Sequence, residues 1–107
     1  MTEKELQDFI VREVRNYVAS AAAKPYVMLD KEVPHIKIPK PIVKSYHNKD
    51  GIITMILTCD LEGSPSSKLY RAIFFEEGQL IIEEFGRIYS KFVYPSIDIS
   101  EKEKTND

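Results

Sequence analysis

At 107 residues, 43% hydrophobic and 30% charged, the chain has the size and balance of one folded, water-soluble domain and is too short for a second core. A formal charge of −2 excludes a global field drawing it onto nucleic acid or anionic membrane, and leaves such work to local patches. The single cysteine, Cys59, excludes an intrachain disulfide and a thiolate metal cluster, and the longest apolar run, Ile52 to Cys59, is too short to span a bilayer.

The opening Met-Thr-Glu-Lys-Glu is no signal peptide, so a reducing, cytoplasmic location is expected. Ile, Lys and Glu are used heavily and Gln occurs only at Gln7 and Gln79, a bias found in thermophiles.

Thr2 followed by Glu5 has the spacing of a capping box. Leu6, Phe9, Ile10, Val14, Tyr17, Val18, Ala21 and Ala22 then recur at three- and four-residue intervals, which predicts an amphipathic helix. Lys24 suits a helix C-terminus and Pro25 opposes continuation, so the helix is expected to end near Ala23. Tyr26 to Leu29 reads as a short strand. Pro34, Pro39 and Pro41 keep Val33–Pro41 from being a central strand and make it an edge or a polyproline-like crossing.

Ile42–His47 and Ile52–Leu61 flank an Asp50-Gly51 hairpin signal. In the second strand Ile53, Met55, Leu57, Cys59 and Leu61 share the core face, and Ile52, Thr54, Ile56, Thr58 and Asp60 the half-polar one. Glu62–Ser67 is a loop. Lys68–Glu76 and Gln79–Phe85 surround a second turn at Glu77-Gly78, and a last strand runs from about Arg87 to Tyr94, with Gly86 at a kink and Pro95 as its stop. Residues 1–99 form the domain, and Ser100–Asp107 is expected to be a disordered charged tail.

The fold class that follows is α+β: one N-terminal helix packed on a curved antiparallel sheet of four to five strands. In order of elements it resembles the cystatin-like and nuclear-transport-factor-like arrangement, in which a curved sheet wraps a helix. That likeness implies a fold and carries no functional residue with it.

No stretch has the residue types and spacing of a catalytic, metal or cofactor site. His35 and His47 lack His-x-His or HExxH spacing and read as surface histidines. Glu76-Glu77 and Glu83-Glu84 flank one hairpin, where Glu76 could face Glu83 or Glu84, and read as a solvated strand end. Cys59 alternates with Met55, Leu57 and Leu61 and reads as a buried hydrophobe. The serines of the 62–67 loop form no nucleophile elbow.

Two features point outwards. Lys31, Lys37, Lys40, Lys44 and Lys49, with His35, His47 and Tyr46, form a basic strip; Lys37, Lys40, Lys44 and Lys49 are its candidate contacts to phosphate or to an acidic partner. The final three strands are rich in aromatics, with Leu69, Ile73 and Phe75 on one face and Tyr70 and Phe74 on the other. One helix covers one face, so the other is expected to be an interface centred on Tyr70, Phe74, Tyr89 and Val93. The leading expectation is a non-enzymatic binding or assembly module, a homodimer, with no cofactor, no metal and no membrane. A ligand or enzymatic pocket between helix and sheet is the second reading, and a nucleic-acid accessory protein using the lysine strip the third.

Overall fold

The computed structural model describes residues 2–61, 68–84 and 87–93. Helix α1 spans Glu3–Met28 and is followed by β1 (Ile42–Lys49), β2 (Ile52–Thr58), β3 (Leu69–Phe74), β4 (Gln79–Glu84) and β5 (Arg87–Phe92). The capping box is present: the Thr2 hydroxyl accepts from the Glu5 amide at 3.1 Å, and the Glu5 carboxylate accepts from the Thr2 amide at 2.8 Å. Those hydrogen bonds hold the Glu5 carboxyl below the usual carboxylate range.

The helix does not stop at Ala23, and Tyr26–Leu29 is not a strand. Pro25 withholds one amide from the ladder, but the following turn closes around it: the Leu29 amide donates to the Pro25 carbonyl at 3.2 Å. The Asp30 amide then donates to Val27 at 3.1 Å and the Lys31 amide to Tyr26 at 2.8 Å. This is a Schellman closure, with Asp30 at φ 55 in the left-handed position that glycine usually fills. A four-residue apolar run is too short for its period to tell strand from helix turn.

Residues 31–41 return along the helix without joining the sheet. The Arg15 Nε donates to the Ile38 carbonyl at 3.0 Å, and the Cys59 thiol to the Pro39 carbonyl at 3.5 Å. Ile38 and Pro41 are buried, so this segment seals the seam between α1 and β2.

The five strands form one open antiparallel sheet in the order β1-β2-β3-β4-β5. Asp50 and Gly51, at φ 54 and 80, make the two-residue turn between β1 and β2, whose handedness matches strand twist. Between β3 and β4 the Phe75 carbonyl accepts from the Gly78 amide, and Gly78 at φ 100 lets the chain re-enter the ladder. Glu76 therefore belongs to the turn rather than to β3. Expectations placed on Gly86, on Tyr94 and Pro95, and on the 100–107 tail fall outside the described residues.

The helix lies over the central strand β3. Leu6, Ile10, Val14 and Val18 meet Ile53, Met55 and Leu57 of β2, Tyr70, Ala72 and Phe74 of β3, and Leu80 and Ile82 of β4 in one buried cluster. Ring pairs mark the line of contact: Phe9 with Phe74 at 6.2 Å, and Tyr17 with Tyr70 at 6.3 Å, both edge-on.

Candidate docking surfaces

Side chains alternate across a strand, so the face the helix covers decides what the other face offers. The covered face holds Tyr70 and Phe74, each 2% exposed. They do not face outwards, and the expected interface cannot be centred on them. Tyr89 and Lys91 stand opposite Ile82 and Leu80 and so share the helix side. The Tyr89 ring lies 5.4 Å from Tyr17, and Val93 packs half-buried against the core. Large apolar residues occur on both faces of β3, but the uncovered one also carries Arg71.

The uncovered face belongs to the residues of opposite parity. Ile42, Ile52, Leu69, Ile88 and Phe92 are exposed at 58%, 41%, 55%, 68% and 60%. Ile56, Ile73 and Ile81 lie half-buried between them. In the middle of this face Arg71 donates through Nε and Nη2 to Glu83 Oε1, at 3.1 and 2.7 Å. His47 and Lys49, opposite Thr54 and Ile52, form its rim on β1.

At the β5 edge Lys91 pairs with Glu13 of the helix at 2.7 Å, and this hydrogen bond raises the lysine's pKa. Beside the pair is a cleft of about 100 Å³ lined by Tyr17, Ser20 and Tyr89. It has room for a few waters.

A buried carboxylate is the feature that sequence reasoning missed. Glu84 is 6% exposed, pairs with Lys68 at 3.7 Å and acts on the buried Tyr70 phenol, its strand partner on β3. Burial first, and then the Glu84 charge, push the Tyr70 pKa far above its ordinary value. The signal was available: Glu84 has the parity of Leu80 and Ile82. Of the other acids, Glu83 is held by Arg71, while the Glu76 side chain occupies the space a Cβ on Gly51 would need. Glu76, Glu83 and Glu84 therefore do not form one acidic site.

Cys59 is buried at 2% exposure; burial raises its pKa, Asp60 adds to the rise and Arg15 opposes it. His35 and His47 are both exposed, on the returning segment and on β1. Among the described residues no three His, Cys, Asp or Glu side chains converge as metal ligands, and no helix is long and apolar enough to cross a membrane.

Lys37 and Lys40 lie on the returning segment, Lys44 at the irregularity in β1 and Lys49 at its far end, all exposed. The fold adds two cations that the strip lacked. Arg12 and Arg15 of α1 line the same cavity as Lys40, and Arg15 lies against Ile38.

The described fold is thus a helix over one face of an open five-stranded meander, with the other face bare. Comparisons with protein-family models, with curated proteins and with solved structures found no match to the chain.

Proposed function

We propose that this protein is a non-enzymatic assembly module that pairs with a second copy of itself through the outer face of its sheet. The observation that carries the reading is the exposure of Ile42, Ile52, Leu69, Ile88 and Phe92 on a face the helix leaves bare. Five strands of six to eight residues present a face of about 24 by 20 Å. With side-chain relief, that is of the order of the roughly 800 Å² per partner of a standard interface. The charges at its centre, Arg71 and Glu83, cancel each other and complement themselves across a two-fold axis. The β1 edge has an irregular register near Lys44, which discourages growth by strand addition and favours face-to-face pairing.

Sedimentation at micromolar concentration is expected to report about twice the 12.4 kDa chain mass. Leu69→Asp combined with Ile88→Asp should return the chain mass with an unchanged circular dichroism spectrum, since both positions are exposed. A native protein that remains monomeric over its whole concentration range overturns the reading.

A further inference from the structure

The seam between α1 and the returning segment is a groove, and its chemistry changes across its width. Cavities of about 440 and 290 Å³ follow one another along it, sharing Arg15. From Asp8 to Ala19 the helix wall runs about 16 Å, the length of about five extended residues. Val11, Ala19, Ile36 and Ile38 supply apolar walls. Arg12, Arg15, Lys37 and Lys40 supply the charge, from two elements far apart in sequence. The carboxylate at the basic end, Asp8, is already matched by Lys4 at 3.3 Å. Arg15 is held in place by the Ile38 carbonyl through Nε, which leaves its terminal N–H groups to act as a fork.

We propose that this groove docks a short acidic peptide segment of another protein, its carboxylates on Arg12, Arg15, Lys37 and Lys40 and its apolar side chains against the half-buried Ala19 and Ile36. Arginine forks match carboxylate geometry, and the apolar walls give neighbouring side chains a place to lose water. A single-stranded nucleic acid fits less well: no Phe, Tyr or Trp is among the described residues lining these cavities to stack on bases. The molecule's net charge of −2 also opposes a long polyanion more than a short segment.

The test is selection from a display library of randomised short peptides, followed by fluorescence polarisation with the enriched sequences. Enriched peptides should carry Asp or Glu interspersed with Leu, Ile or Val, and bind less tightly as salt rises. Arg12→Glu with Lys40→Glu should weaken them by at least about tenfold. Lys37→Ala with Lys40→Ala, a milder pair that spares the helix, should weaken them in the same direction. Leu69→Asp with Ile88→Asp should bind them unchanged, which separates this site from the sheet face. Enrichment of peptides without acids, no enrichment at all, or tighter binding of a thymidine homopolymer lost in the same variants would each overturn the proposal.

Discussion

Tyr70 is the residue whose environment has the clearest consequence. It is buried beside a carboxylate that is itself buried, and first the burial, then the Glu84 charge, make the folded state strongly favour the neutral phenol. In the unfolded chain the phenol ionises near 10, and the raised folded value means that stability is lost as pH climbs from there. Lys91 acts in the same direction: its pairing with Glu13 is complete below its ordinary 10.5 and is lost as the lysine deprotonates above it. Thermal stability should therefore be flat near neutrality and fall above about pH 10. Tyr70→Phe should soften the alkaline fall, because it removes the buried phenol whose ionisation the fold opposes. A parent and variant with parallel alkaline melting curves would show that another group drives the loss. Gly51 offers a second residue-level test, being at φ 80 beneath the Glu76 side chain. Gly51→Ala should cost about 1–2 kcal/mol from backbone strain, and Glu76→Ala in the same chain should recover only the part due to crowding.

At the scale of elements, α1 is structural. Ile10 and Val14 are fully buried beneath the sheet's covered face, so replacing either with Ala opens a cavity. The expected loss is about 2–4 kcal/mol for Ile10→Ala and somewhat less for Val14→Ala, read from urea unfolding with an unchanged m-value. Variants that melt like the parent would mean that the helix packs elsewhere. The helix also shows how a local rule is overridden. Proline opposes continuation by withholding an amide and crowding the preceding turn, yet the helix runs on through Pro25 to a closed Schellman turn. As a result the apolar Val27, Met28 and Leu29 end up exposed on the last turn instead of in a strand.

Among the described residues the molecule is an unequal sandwich, with one helix and one returning segment on one side of the sheet. That inequality supports the proposed dimer, and it makes stability depend on protein concentration. If the outer faces pair, the melting temperature should rise with concentration by mass action, and the Leu69→Asp, Ile88→Asp protein should melt independently of concentration. The groove is also a whole-molecule feature: Arg12 and Arg15 reach Lys37 and Lys40 only because the segment after the helix doubles back along it. Its peptide binding should persist in the monomeric variant.

Local chemistry is written directly in the chain: Thr2 and Glu5 cap a helix, a 3.6-residue stripe aims it at a core, and Asp50-Gly51 and Gly78 turn the strands. These were legible because each depends on neighbours a few residues apart. So were the five antiparallel strands and the burial of Ile53, Met55, Leu57 and Cys59. Packing decided the rest. β3 carries large apolar residues on both faces, Leu69 and Ile73 beside Arg71 on one and Tyr70 and Phe74 on the other, and the docked helix covers the second. That choice moved the candidate interface to the opposite face and buried Glu84 beside Tyr70. It was hidden from the sequence because strand alternation specifies which residues share a face, while covering a face requires contacts between segments distant in the chain.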